Sequence, residues 1–389
     1  MVPAHVRMFI AVGLLSSVVT PVLGQAPVLR SANHDYRVVT VADGLINPWS
    51  MAFLPEGDML ITERSGRLRL VRNGILRMAP IEGVPEVLAQ GQGGLFDVVL
   101  HPDFESNRLI YLTFAKPIGD GTEATTAVAR GRFENDRLMD VGEIFVAETQ
   151  GRPGHYGGRL VFDEEGYIFV TVGERQAPST GDLEAHPAQD TSNHHGTVVR
   201  LHDDGRVPID NPFVGESAVL PEIWSYGHRN PQGLAIHPET GDIWITEHGP
   251  QGGDELNLVL PALNYGWPVI GYGVNYRTGS AIHEGTLRDG IEAPTHFWVP
   301  SIATSGLMVY TGGLFPAWKG NLFAGGLGGQ QIARLTMEGQ RVVREETLLQ
   351  GLGRVRDIRQ GPDGYIYVAI ESRDGSPTAV VRFEPAGVR

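Results

Sequence analysis

Apolar and polar residues alternate in short bursts along most of this chain, and the bursts recur in one order. In Trp49 to Val71 (WSMAFLPEGDMLITERSGRLRLV) an apolar strand is followed by a turn at Pro55-Glu56-Gly57, a second strand and a more polar third. Period-two alternation punctuated by Gly, Pro and Asp is the pattern of half-buried strands joined by tight turns. Comparable units begin at Gly94 (GLFDVVLHPDFESNRLIYLTFA), Gly158 (GRLVFDEEGYIFVTVG), Gly233 (GLAIHPETGDIWITEHG), Gly306 (GLMVYTGGLFPAWKGNLFAGGL) and Val355 (VRDIRQGPDGYIYVAI), six units in all. One such sheet cannot bury both of its faces, whereas a ring of them can. The repeat therefore predicts an all-β fold, a six-bladed β-propeller of four-stranded antiparallel blades. A β-sandwich of similar strand count would have no reason to repeat one unit, and no long pattern of helical period competes. Tyr36 to Val41 (YRVVTV) is expected to pair with the C-terminal TAVVRFEP, closing the ring and removing exposed edges. The expected organisation is a linker at residues 25–35 and a propeller at 36–389.

Composition narrows the classes. The 389 residues are 41% hydrophobic, enough for a large core, and 51 Gly and 26 Pro without a collagen-like period fit many short strands and turns. A net charge of -14 with scattered Lys and Arg argues against a nucleic-acid binder. The absence of Cys excludes disulfide and thiol chemistry. Residues 1–24 carry His5 and Arg7, then an apolar run from Met8 to Leu23 and a small Gly24, which reads as a secretory signal cleaved near Gln25. The run is short and contains Pro21, which speaks against stable membrane insertion. A periplasmic or secreted protein is expected.

In a propeller the interior is filled with strand side chains, so chemistry falls to the loops at the channel mouth. Polar loops occur at Leu88 to Gly94, Gly151 to Arg159, Glu174 to Asn211 (expected to be the longest), Tyr272 to Glu284, Trp298 to Gly306 and Gly351 to Arg356. The densest stretch is Pro221 to Trp267, where His228-Arg229-Asn230-Pro231 separates two strand-like runs and His248-Gly249-Pro250-Gln251-Gly252-Gly253-Asp254-Glu255 follows a third. Glycines let backbone carbonyls approach a ligand and adjacent carboxylates suit a hard cation, although ordinary turns use the same residues. His155, set among glycines before a strand, is either a solvated loop residue or a general base held neutral, and Glu174 at the end of the next strand is a candidate to orient it. Arg229, Arg354 and Arg356 offer two-pronged donors for carboxylates, while the RVR run also reads as two like-facing strand residues. The adjacent pair His194-His195 invites a metal, but neighbours in an extended chain face opposite ways.

SYGHRNPQGLA, E-x-GP-x-x-x-DE-x-N and NYGWP together are similar to the signature of the soluble pyrroloquinoline-quinone (PQQ) dependent sugar dehydrogenases, the glucose/aldose/sorbosone dehydrogenase family. GQGGLFDVVLHPDF and HYGGRLVFDEEGYIFVTVGE resemble two further blocks, so the likeness runs from Gly44 to Val381. The resemblance implies that Gln92 contacts PQQ, that His155 is the proton acceptor oriented by Glu174, and that Arg229 and Asn230 lie against the quinone. It implies that Gly249 and Pro250 offer carbonyls to a Ca²⁺ ion bridging to PQQ, with Glu255 and Tyr265 also associated with calcium. His248, Tyr276, Trp298, Arg354 and Arg356 fall in the remaining cofactor-contact blocks. The implied reaction is oxidation of a monosaccharide or small oligosaccharide. His155 takes the anomeric proton, hydride passes from C1 to C5 of PQQ, the product is a lactone, and an external acceptor collects the electrons. A monomer or homodimer is expected.

Two departures stand out. Some members carry a cofactor-binding lysine in the fifth blade, where this chain has Gly325-Gly326-Leu327-Gly328-Gly329-Gln330-Gln331; and His248 stands where some members have glutamine. Two other readings follow from the residues. One is a metal-dependent lactonase or esterase of the propeller type, which would build its site from carboxylates and amides along the channel axis. The other is a non-catalytic sugar-binding propeller that has lost PQQ.

Overall fold

A computed structural model describes Met1 and residues 26–387. The signal-peptide expectation for residues 1–24, with its cleavage near Gln25, lies outside the described residues. The strands form six antiparallel sheets, five of four strands and one of five. In sequence order the blades begin with Pro48–Phe53, Leu95–Leu100, Gly157–Phe162, Pro231–Ile236, Thr304–Val309 and Arg354–Gln360. Each of these innermost strands packs on the next, and the sixth packs back on the first, which closes the ring. The outer edge of blade 6 is supplied by Tyr36–Leu45, whose Val38 pairs with Phe383 and Thr40 with Val381. The N-terminal strand thus fastens the C-terminal one, as the alternation of YRVVTV and TAVVRFEP predicts. Val28–Leu29 adds a short fifth strand outside it.

Burial follows from this stacking. Six apolar layers lie between neighbouring blades. For example, Leu60, Leu70, Val98 and Leu112 fill the space between blades 1 and 2, and Ile61, Met59, Ala369 and Val380 that between blades 6 and 1. In five of the six blades the second strand is buried along nearly its whole length because it has a blade on either side, which is why runs such as MLITE and IWITE carry so few charges. The α-helix in the described residues is a single turn, Phe104–Asn107.

One expectation is corrected here. The stretch Glu174 to Asn211 is not one long loop. Thr197–Leu201 (TVVRL) is the third strand of blade 3, paired along its length with Ile168–Val172. Its five residues are too short to stand out against the polar residues flanking them, and partners on both sides supply what propensity alone does not.

The pairing also decides which loops share a mouth. Gly157 opposes Val172, Pro231 opposes Glu247 and Arg354 opposes Glu371, so the start of each innermost strand lies beside the end of the second strand. The loops before the first strand and after the second in each blade therefore open on one face.

Candidate active site

His155 precedes the innermost strand of blade 3 and Glu174 follows its second strand, so the fold sets them side by side. Nδ1 of His155 is hydrogen bonded to Oε1 of Glu174, and both residues are buried. Gly173 makes the approach possible, because a Cβ there would lie 2.2 Å from the His155 carbonyl oxygen. His155 itself holds a left-handed φ of 49°, a conformation that costs a non-glycine residue about 1–2 kcal/mol. Neighbours enforce it: the His155 amide donates to Oε1 of Gln92 at 2.9 Å, and the Arg175 amide donates to its carbonyl at 3.2 Å. Burial, reinforced by the positive charge of Arg229, holds the imidazole below its ordinary pKa, against the opposing pull of Glu174. Burial pushes the Glu174 carboxyl up, yet its contacts with His155 and the field of Arg229 and His186 outweigh this and keep it low. The resulting pair is a carboxylate accepting from Nδ1–H of a neutral imidazole, which leaves Nε2 as a free acceptor.

Arg229 and Asn230 sit where the chain crosses from blade 3 to blade 4. Nη1 of Arg229 donates to the carbonyls of His248 (3.0 Å) and Gly249 (2.8 Å), and its guanidinium lies 5.0 Å from the Trp267 ring. Asn230 Oδ1 accepts from the Gly157 amide at 3.1 Å. Arg229 Nε and Asn230 Nδ2 are buried donors without a hydrogen-bond partner. Unsatisfied buried donors are costly, so Arg229 Nε, on a residue that lines the adjoining cleft, marks a place for a ligand rich in acceptor oxygens.

A cleft of about 710 Å³ opens in front of these groups, lined by Gln92, His155, Glu174, Arg229, His248 and Pro250, with Tyr276 at its rim. Tyr276 is 65% exposed, and its hydroxyl donates to the Gly249 carbonyl at 3.3 Å. His248 donates from Nε2 to the Thr304 carbonyl, and burial together with Arg229 and His155 lowers its pKa to about 3, so it is neutral. On the blade 6 side, Arg356 Nε pairs with Glu371 at 2.5 Å and Arg354 Nε lies 3.4 Å from the same carboxylate. Arg354 and Arg356 are like-facing residues at the head of a strand, as the RVR alternation allows, and both point toward the mouth.

Gly249, Pro250, Glu255 and Tyr265 line a second, smaller cavity of about 20 Å³ next to the first, together with Glu247. That volume suits about one water molecule or ion. Burial, and after it the nearby Glu247, push the Glu255 carboxyl well up. Among the described residues no group of three or more His, Cys, Asp or Glu gathers as a metal centre. Asp254, the other half of the acidic pair, faces away: it accepts from the Gly249 amide, Ser301 and the Thr304 amide, which fixes the loop.

A family model described as Glucose / Sorbosone dehydrogenase matches residues 45–382. The chain belongs to the glucose/sorbosone dehydrogenase family. It is 42% identical to Aldose sugar dehydrogenase YliI of Escherichia coli (strain K12) over 362 residues, 91% of this chain and 95% of that one. It is 33% identical to Quinoprotein glucose dehydrogenase B of Acinetobacter calcoaceticus over 291 residues, 67% of this chain and 59% of that one. Among solved structures, the PQQ-bound form of Aldose Sugar Dehydrogenase from Streptomyces coelicolor superposes with a TM-score of 0.72 at 26% identity, covering 90% of this chain and 98% of that one. This glucose/sorbosone dehydrogenase family member is accordingly an enzyme of sugar oxidation.

Not every expected contact of this dehydrogenase gathers at the cleft. Trp298 is placed elsewhere: it lies in the apolar layer between blades 4 and 5 and donates from its indole N–H to Glu345 at 3.1 Å. An outermost strand turns one face to the next blade, and a large ring on that face becomes core. His194 and His195 bind separate partners, Glu222 and the Asn193–Gln150 loop, and form no metal pair. In the fifth blade, Gly328 is exposed beside Leu327, whose carbonyl accepts from Nη1 of Arg354 at 3.2 Å. A guanidinium therefore stands next to the turn that lacks the lysine.

Several contributors are missed by sequence reading. Gln232 donates to the Gly157 carbonyl and accepts from Arg356 Nη1 at 2.9 Å, so it ties the His155 loop to the arginines. Its place within the NPQG motif is the one signal that could have found it. Arg175 is fully buried and joins no ion pair among the described residues, donating instead to the carbonyls of Gly154 and Arg152 and stacking 3.9 Å from the Tyr156 ring, which holds the His155 loop. Arg159 crosses the channel, pairing with Asp357 at 2.8 Å and donating to Gln232 O at 2.7 Å and Arg356 O at 3.2 Å. Nothing in the sequence separates these two arginines from surface ones.

Proposed function

We propose that this protein oxidises an aldose at C1 to the lactone, with PQQ as cofactor, Ca²⁺ beside it and His155 as the general base. The observation that carries the reading is His155, held by Glu174 through Nδ1, in one cleft with Arg229, whose buried Nε is unpaired. The donor chemistry fits PQQ, which carries three carboxylates and two quinone oxygens: Arg229 Nε and Asn230 Nδ2 are unsatisfied, and Arg354 and Arg356 supply further positive charge. Gln92 and Tyr276 line the same cleft. The small neighbouring cavity fits a hard cation, since Glu247 and Glu255 share its wall with Gly249 and Pro250 and a cation there would favour the ionised form of Glu255 that burial disfavours. When bound, PQQ supplies a two-electron acceptor for hydride and Ca²⁺ a Lewis acid to polarise it.

The protein's own part is positioning and proton removal. His155 Nε2 accepts the proton of the C1 hydroxyl, and the Glu174 carboxylate stabilises the imidazolium that forms. Arg229, fixed by two backbone carbonyls and by its amide bond to Glu247 Oε2 at 2.6 Å, holds a positive charge beside the reacting centre. The hydrolase alternative needs metal-binding carboxylates along the axis; here the axis is occupied by Arg159, which neutralises Asp357 and lies 3.7 Å from Asp97. From the apolar N-terminal run we infer export to the periplasm or medium, with an external electron acceptor there.

Dye reduction by purified protein with a panel of aldoses, before and after adding PQQ and Ca²⁺, tests the reading. Activity that needs both and disappears in His155→Ala supports it. An absence of turnover together with an absence of PQQ binding in an absorbance titration sinks it.

A further inference from the structure

The cleft in front of His155 carries two arginines that the chemistry above does not use. Arg152, on the loop before the innermost strand of blade 3, and Arg277, in the excursion between the third and fourth strands of blade 4, both line the cavity of about 710 Å³. Both residues are exposed, and neither joins an ion pair among the described residues. Their backbones are fixed: the Arg152 carbonyl accepts from Arg175 Nη2 at 2.7 Å, and the Arg277 amide donates to Asn275 Oδ1 at 2.9 Å.

The charge of this cleft runs against that of the chain. With 45 acidic and 31 basic residues, an unselected surface of this protein would be negative. The lining instead holds Arg152, Arg229 and Arg277 against one carboxylate, Glu174, which is already engaged by His155 and by the Ala177 amide. Arg354, Arg356 and Arg64 cluster separately around Glu371 on blades 6 and 1, across the ring from Arg277. The two rim arginines are thus additional to the positive charge available to an anionic cofactor. A positive recess on a negative body concentrates anions and draws them to the site.

We propose that this cleft selects an aldose bearing an oxyanion, a carboxylate or a phosphate, at the end of the sugar remote from C1, and that Arg152 and Arg277 bind that group. The inference rests on the reading of aldose oxidation at His155. Guanidinium pairs bind either oxyanion in two-pronged fashion, so both sources share one recognition chemistry.

The test compares kcat/KM of the enzyme loaded with PQQ and Ca²⁺ for glucose, glucuronate and glucose 6-phosphate, over a range of NaCl, in wild type and in the double variant Arg152→Gln/Arg277→Gln. The expected result is an advantage of about tenfold for an anionic sugar over glucose, shrinking with salt and falling toward one in the double variant. Which of the two anionic sugars leads assigns the oxyanion. Values for both that equal or fall below that for glucose overturn the proposal, as does an advantage that survives the double substitution. If glucose and the anionic sugars all fail to turn over, the dehydrogenase reading is what fails. Calorimetric titration of glucuronate and glucose 6-phosphate then decides the charge preference by itself. Binding by wild type that is lost in the double variant supports it, and the absence of binding by wild type overturns it.

Discussion

The Glu174 carboxylate and the His155 imidazole meet through Nδ1 because one follows and the other precedes the same end of an antiparallel strand pair, and the contact leaves Nε2 facing the cleft. His155→Ala is expected to lower kcat by roughly 10²- to 10⁴-fold, the usual weight of a positioned general base. Glu174→Gln keeps the shape and removes the charge, so kcat falls while KM for sugar changes little. Because the imidazole is held below its ordinary value of ~6.5, the acid limb of kcat/KM lies below that pH. It moves further down in Glu174→Gln, since that carboxylate is what raises the imidazole. A limb that stays put or moves up would remove Glu174 from this role.

His248 is expected to make stability depend on pH. Its folded pKa of about 3 lies below the unfolded value of ~6.5, so between these values the unfolded chain binds the extra proton and stability falls as pH falls. The loss approaches about 1.4 kcal/mol per pH unit from this residue. In His248→Gln the midpoint of urea unfolding should vary less between pH 6.5 and 4 than in wild type. Parallel curves for the two proteins would show that His248 is not the source.

Glu255 behaves in the opposite sense. Burial and Glu247 raise its carboxyl, so the folded state binds the proton above the ordinary carboxylate range, and stability is lost as pH rises. A cation in the adjoining cavity relieves the same repulsion. Ca²⁺ should therefore raise Tm of the cofactor-free protein more at pH 8 than at pH 5. Glu255→Gln should raise Tm without calcium and abolish the response to it. Thermal scans with and without Ca²⁺ check this, and an equal response from the variant would place the ion elsewhere.

Arg159 closes the channel beneath the site. Arg159→Met takes from Asp357 its 2.8 Å partner but leaves Arg359, which lies 3.0 Å from Asp357 and 2.8 Å from Asp97, so the expected cost is that of one charge-assisted contact, about 1–3 kcal/mol. It also frees the carbonyls of Gln232 and Arg356. The urea midpoint reads the first effect. PQQ affinity by absorbance titration reads the second, because Gln232 and Arg356 are held through Arg159.

The strand repeat determined the ring. Alternating segments bounded by Gly, Pro and Asp can bury their faces only against copies of themselves, so six units and the closing pair of Tyr36–Leu45 with Thr378–Pro385 were legible before any coordinates. His155, Glu174, Arg229 and Asn230 stood out through the likeness of their motifs to the family, whereas residue type alone left His155 and Glu174 equally open to a solvated loop; the fold is what sets those two side by side. Sequence could not assign Trp298 to the wall between blades, because the face an outer strand turns to its neighbour depends on a register set by partners distant in the chain. Nor could it place Thr197–Leu201 in a sheet, or single out Arg159 and Arg175 among the polar residues. Their roles arise from carbonyls and carboxylates of other blades, which come within hydrogen-bond reach only when the ring closes. A buried guanidinium is written in the same letters as an exposed one, and only tertiary structure supplies the partners that make its burial possible.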